Sequence, residues 1–306
     1  MKKLFSVYRE LAKSGIVALV VISVLGGYLC GHPFERGLDG WRLAQTLFGI
    51  FLLAAGSSAL NQVQERHLDA KMPRTAQRPL PSGRISLEHA LAFCGLSLII
   101  GLMTLATLDL TLAALGILAV ISYNGLYTLW WKRHWAFAAI PGAIPGALPI
   151  LMGHAAAAGS AWTRGGWYLF FVLFYWQMPH FWSLAIRFRE DYSQGGVPTL
   201  PVARGVWPTR FHTTLWTFSY VALALSAPIF LGTGWVYFGI SLLTSAKVLW
   251  ELRQYLKATT LDATGESLAA TQHWLPFFLW INFSLILYVF GAAIDLWSVY
   301  LIAHFR

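Results

Sequence analysis

Residues 87–127 read LEHALAFCGLSLIIGLMTLATLDLTLAALGILAVISYNGLY. Two apolar runs, at about 87–107 and 109–127, fill this stretch. Each has the ~20 mostly apolar residues that a helix needs to cross the hydrocarbon core of a bilayer. The same reading, carried outward, finds further runs at about 15–31, 43–61, 136–157, 167–186, 214–231, 235–252 and 274–295. The fold class this predicts is all-α, a polytopic membrane bundle of nine transmembrane helices, with 1–306 as a single domain. The run at 136–157 contains PGAIPGALPILMG. A membrane helix tolerates such prolines where its neighbours satisfy the freed backbone groups. The run at 235–252 carries Lys247 and Glu251 near its end.

Composition leads to the same place. The chain has 306 residues, 57% hydrophobic and 11% charged. Soluble domains average about 25% charged residues, so there is too little charge here to coat a water-soluble surface. The net charge of +9 sits in short clusters between apolar runs, which argues against nucleic-acid binding. Cys30 and Cys94 fall in separate apolar runs, with no CxxC and no Cys/His cluster. They read as small buried residues rather than a disulfide or zinc framework. The basic start MKK precedes an apolar core, but GGYL before Cys30 is no cleavage site, so 15–31 stays a helix.

The basic residues orient the bundle. With the N-terminus inside, only Arg36, Arg42, Arg164 and Arg306 fall outside; every other one of the 22 Lys and Arg is cytoplasmic. This is the positive-inside pattern. It predicts a multi-pass protein of the cell (inner) membrane with its C-terminus outside. For the N-terminal cluster, including Lys13, orientation is the whole reading. The longest polar loops, about 62–86, 187–213 and 253–273, share the cytoplasmic side.

Two of these loops carry chemistry. Residues 60–86 read LNQVQERHLDAKMPRTAQRPLPSGRIS. Asn61, Glu65 and Asp69 recur at i, i+4 and i+8 and share one face if the helix continues. Hard oxygen donors of this kind suit Mg²⁺, usually held by a few carboxylates plus substrate phosphates. Lys71, Arg74, Arg78 and Arg84 follow at once, and arginine suits bidentate phosphate contacts. Read without a ligand, the same residues make a solvated helix end laced with i,i+4 ion pairs. Pro73, Pro79, Pro81 and Gly83 break the helix into a shaped loop. Residues 176–202 read WQMPHFWSLAIRFREDYSQGGVPTLPV. Glu190 and Asp191 form a second acidic cluster on the same predicted side, with Arg187 as an ion-pair or phosphate partner. Trp176, Gln177, Pro179 and His180 form a polar-aromatic patch at membrane depth, where polar groups face the bundle interior. His180 reads either as a hydrogen-bonded packing residue or as an acceptor-side group.

These residues resemble the intramembrane prenyltransferases of the UbiA type, and within them the heme-directed farnesyltransferase branch. The first motif, N-x3-[D/E]-x3-D followed by K-M-x-R-T-x-x-R-x-L, is matched by Asn61, Glu65, Asp69, Lys71, Met72, Arg74, Thr75, Arg78 and Leu80. W-Q-x-P-H and D-Y-x5-P-x-L-P-V are matched by Trp176, Gln177, Pro179, His180, Asp191, Tyr192, Pro198, Leu200, Pro201 and Val202. Tyr127, Thr128, Lys132 and Arg133 match Y-T-x3-K-R. The chain departs from the D-x3-D of related aromatic prenyltransferases, since Gly195 stands four residues after Asp191.

The resemblance implies an enzyme that moves a farnesyl group from farnesyl diphosphate to a vinyl side chain of heme b, with water adding to the same vinyl to give heme O. It implies Mg²⁺ at Asn61, Glu65, Asp69, Glu190 and Asp191, with Asn61, Glu65, Asp69 and Asp191 as the catalytic set. Substrate contacts fall to Lys71, Arg74, Arg78, Lys132, Arg133, Arg187, Tyr192 and His180, with His67 a second acceptor-side histidine. The partners it implies are the two substrates, the lipid bilayer and a protein downstream in heme A or oxidase assembly. Two other readings remain open at this stage: a prenyltransferase for a quinone-type or other aromatic acceptor, and a transporter or non-catalytic heme-binding membrane protein. No acidic chain runs through the spans, and the charges sit at one face, which suits a diphosphate head better than a transport path.

Overall fold

The computed structural model describes residues 2–33, 37–258 and 273–304, with side chains for 5–33, 37–257 and 273–298. Arg36 and Arg306 of the charge reading, and residues 259–272 of the polar loop at about 253–273, lie outside this set. The described residues form helices and loops only. The helices are α1 (Lys2–Leu11), α2 (Ser14–Gly31), α3 (Gly40–Asp69), α4 (Leu87–Leu108) and α5 (Leu110–Val120), which continues as a π-helix (Ile121–Trp131) into α6 (Lys132–His134). After these come α7 (Ala139–Ala158), α8 (Arg164–Arg187), α9 (Arg189–Gln194), α10 (Leu200–Arg204), α11 (Val206–Leu225), α12 (Ala227–Leu231), α13 (Trp235–Ala258) and α14 (Trp274–His304).

Among the described residues, seven helical segments are long and apolar enough to cross a membrane: α2, α3, α4, Leu110–His134, α7, α8 and Trp274–Ser298 within α14. The sequence predicts nine. The two runs not among the seven are 214–231 and 235–252. The first is split at Ser226 between α11 and α12. α11 is also polar, because Thr209, Thr213, Thr214 and Thr217 each return their hydroxyl to the carbonyl four residues back, at 2.7–2.9 Å. α13 carries Lys247, Glu251, Arg253 and Lys257 in its second half. Both helices still pack into the bundle, α11 against α8 and α13 against α14. Asp295 of α14, 1% exposed, accepts the backbone N–H groups of Gly234 and Tyr237. It thereby caps the start of α13, whose first N–H groups have no partner within their own helix.

Two glycines set the closest helix crossing. A methyl group added at Gly27 would overlap the Ile150 carbonyl, and one at Gly153 would overlap the Val24 carbonyl. α2 and α7 therefore touch backbone to backbone, as small residues permit in membranes. α7 is the most enclosed of the seven segments, which is why it tolerates Pro145 and Pro149. Gly153→Val will lower the unfolding midpoint in detergent, because overpacking a full crossing costs about 3 kcal/mol. Gly15→Val in α2, where nothing lies within 4 Å, should leave the midpoint unmoved. Equal midpoints for the two variants would refute the crossing.

Candidate functional site

α3 runs unbroken through Asp69 because no glycine or proline interrupts 57–69. Asn61, Glu65 and Asp69 therefore share a face, all three at most 2% exposed. Burying such groups is costly unless each is paired. Part of the pairing comes from the π-helix and α6, across a ladder with a constant offset. Ser57 donates to Asn124 Oδ1 at 2.5 Å, Asn61 Nδ2 donates to Thr128 at 3.1 Å, and Lys132 Nζ donates to Glu65 Oε1 at 2.6 Å. π-helical turns are rare and recur at functional sites.

The loop after α3 folds back on it. Thr75 donates to the Asp69 carbonyl at 2.9 Å, and Arg78 Nη1 lies 2.8 Å from both Asp69 carboxylate oxygens. Arg74 Nε stands 3.6 Å from Asp191 Oδ2, with its guanidinium over the rings of Phe188 and Tyr192. Arg74 thus links the first motif to the second. Gly195, where related proteins carry an acid, sits against Met72: an added Cβ would come 2.9 Å from its Sδ. A side chain at this position would have to displace the Met72 thioether.

Lys13 completes the head of the site. It stands between α1 and α2 in the left-handed region, φ 53°, and its Nζ donates to Asn61 Oδ1 at 2.5 Å. Burial, then the charge of Arg78, pull its ammonium down to about 7. The turn that presents it is pinned twice. Gln62 donates to the Glu10 and Leu11 carbonyls at 2.9 Å, and Arg84 meets Glu10 with two 2.8 Å bonds. Reading Lys13 as an orientation charge alone is therefore a miss. Sequence places it far from 61–78; only the fold brings it there.

These groups line the polar end of a cavity of about 460 Å³. Four cations (Lys13, Arg74, Arg78 and Lys132) face two carboxylates, Glu65 and Asp69, on its wall. The excess positive charge suits a polyanion. The rest is apolar, lined by α2 residues such as Leu19 and Ile22 and α14 residues such as Leu285 and Val289. Tyr123 and Tyr127 stack at 5.9 Å on the cavity wall. Gly142 makes room for the second ring, since a Cβ there would come 2.6 Å from it. His180 also lines the cavity, with its ring 4.8 Å from that of Trp176 and 4.9 Å from that of Phe278.

Not every predicted residue arrives. Tyr192 lines the cavity, whereas Asp191 joins it only through Arg74. Lys71, Arg187 and Glu190 are exposed and off the lining. Arg133 is also exposed and reaches the Gln64 carbonyl at 3.4 Å. His67 is exposed on α3, because two residues from Glu65 and Asp69 is the wrong face. Among the described residues no three His, Cys, Asp or Glu side chains gather into a metal cage. The hard oxygens of Asn61, Glu65 and Asp69 nonetheless fit Mg²⁺, which takes one or two carboxylates and completes its shell with water and phosphate oxygens.

The profile described as the UbiA prenyltransferase family matches residues 20–282. A protein of Bdellovibrio bacteriovorus named protoheme IX farnesyltransferase is 43% identical over 298 residues, covering 97% of this chain and 99% of its own. Proteins of the same name from Aquifex aeolicus and Bacillus pumilus are 43% and 39% identical, covering 71% and 74% of this chain and 74% of each relative. A solved structure described as digeranylgeranylglyceryl phosphate synthase in membranes superposes with TM-score 0.75 at 20% identity, covering 96% of this chain and 99% of that one. A UbiA homologue from Archaeoglobus fulgidus bound to GPP and Mg²⁺ gives 0.68 at 19% identity, covering 94% and 99%. The structural likenesses show the fold.

Proposed function

The chain belongs to the UbiA prenyltransferase family, and from that premise we propose that it transfers the farnesyl group of farnesyl diphosphate to a vinyl side chain of heme b, giving heme O. The observation that carries this reading is one cavity with a cationic polar head and an apolar body, in a chain related over 97% of its length to a protein named protoheme IX farnesyltransferase.

The residues divide the work. Lys13, Arg74, Arg78 and Lys132 hold the diphosphate, whose negative charge grows as the allylic carbon–oxygen bond breaks. Asn61, Glu65 and Asp69, with Asp191 beyond Arg74, would hold Mg²⁺. Bound there, the ion supplies further positive charge toward the leaving diphosphate. Tyr123 and Tyr127 present aromatic surface near the head, where ring faces stabilise a cationic prenyl fragment. The apolar body keeps bulk water from that fragment. His180, between its two aromatic neighbours, serves the acceptor side. The bundle makes nine crossings of the cell's inner membrane as one domain. Its N-terminus and the loops bearing Arg74 and Asp191 are cytoplasmic, and its C-terminus is outside, a placement supported by the bias of Lys and Arg. A protein that consumes heme O is the partner class this reaction requires.

Purified protein in lipid nanodiscs, given farnesyl diphosphate, heme b and Mg²⁺, should produce heme O, read by chromatography and mass spectrometry. Turnover only with a phenolic or quinone-type acceptor would overturn the heme assignment. No turnover with any acceptor would overturn the enzyme.

A further inference from the structure

A second, smaller cavity of about 60 Å³ lies beside the head of the first. Tyr127, Lys132, Ala139, Phe181 and Tyr192 line both, so the two share a wall. Of the residues that line the small cavity and not the large one, Thr199 alone carries a hydroxyl. It is 6% exposed, and its hydroxyl has no hydrogen-bond partner in the protein. Thr199 occupies the N-cap of α10, where a threonine hydroxyl normally accepts a backbone N–H from the first turn. Here it makes no such bond. Pro201 in that turn has no N–H to give, and the N–H groups of Val202 and Ala203 are taken by the Thr199 carbonyl, at 2.9 and 2.8 Å.

A buried hydroxyl left free in this way calls for a ligand. The volume admits about two water molecules at ~30 Å³ each, and a buried water needs two to four polar partners. Thr199, Lys132, Tyr127 and Tyr192 supply them. We propose that this side cavity is a built water site, and that the water held on Thr199 is the one that adds to the vinyl group after prenyl transfer.

The proposal rests on the heme O reading and balances as follows. The diphosphate leaves with the electron pair of the carbon–oxygen bond. The vinyl π pair bonds its terminal carbon to the prenyl carbon, leaving the positive charge on the carbon next to the macrocycle. The water oxygen bonds to that carbon, and its spare proton passes to the released diphosphate. Without water at hand, the same cation loses a proton and becomes an alkene, a product lighter by one water.

The test is the ratio of the two products, whatever the overall rate. Thr199→Val keeps the shape and removes the hydroxyl, so the share of alkene should rise about fivefold, the equivalent of one lost hydrogen bond. Thr199→Ser keeps the hydroxyl and should retain the wild-type ratio. An unchanged ratio in Thr199→Val overturns the proposal, as does an equal shift in both variants. A wild-type protein that forms no prenylated heme at all would instead sink the reading on which it rests.

Discussion

Asp69→Asn will abolish nearly all turnover, reducing kcat by about a thousandfold, the scale on which mutations remove electrostatic stabilisation of a transition state. Asp69 is fully buried, and Arg78 Nη1 lies 2.8 Å from both its oxygens. As the last member of the Asn61–Glu65–Asp69 face, in the proposed reading it would be both a hard donor for Mg²⁺ and the anchor of the arginine that meets the diphosphate. The amide keeps the shape but loses the charge, so the ion and Arg78 are weakened together. Asparagine is preferred to alanine because deleting one partner of a buried pair outright destabilises by about 3–5 kcal/mol, which would confuse misfolding with lost chemistry. The expected signature is a fall in kcat that added Mg²⁺ does not recover, in a variant that still elutes as a folded species from detergent. Activity within about tenfold of wild type would release Asp69 from the metal role.

How far sequence reached this site depends on distance along the chain. The Asn61–Glu65–Asp69 face was legible because i,i+4 spacing is a local property of one helix. The partners across that face were not read as such. Asn124, Thr128 and Lys132 repeat the same spacing with a fixed offset, but nothing local says which two helices lie side by side. Glu190 and Arg187 were drawn in by proximity to Asp191 in sequence. Glu190, adjacent to Asp191 on α9, points in a different direction, Arg187 ends α8 before the break at Phe188, and both are exposed. The span count exceeds the seven apolar segments because α11 is threonine-rich and stops at Ser226, and α13 carries Lys247, Glu251, Arg253 and Lys257 in its second half. Gly195 reads as a gap in a metal motif, and its contact with Met72 of another loop is visible only in the fold.

Lys13 is the residue whose loss should most weaken the donor without undoing the fold. Lys13→Met removes one charge-assisted hydrogen bond, worth about 1.5–3 kcal/mol, so KM for farnesyl diphosphate should rise roughly ten- to a hundredfold. The ammonium sits among Arg78 and Lys132, which disfavour its charge, and near Glu65 and Asp69, which favour it. An incoming diphosphate adds the negative charge this cluster of cations lacks, so the interaction belongs to the bound state. A second variant separates this role from a structural one. Lys13 holds a left-handed φ of 53°, a conformation glycine adopts without the strain a Cβ imposes. Lys13→Gly should therefore melt at or above the wild-type temperature while losing donor affinity as Lys13→Met does. Stability and binding moving in opposite directions is the pattern expected where backbone strain is kept for function. If Lys13→Gly melted lower and bound farnesyl diphosphate with unchanged KM, the turn would be a mere connector and the N-terminal cation would have no place in the site.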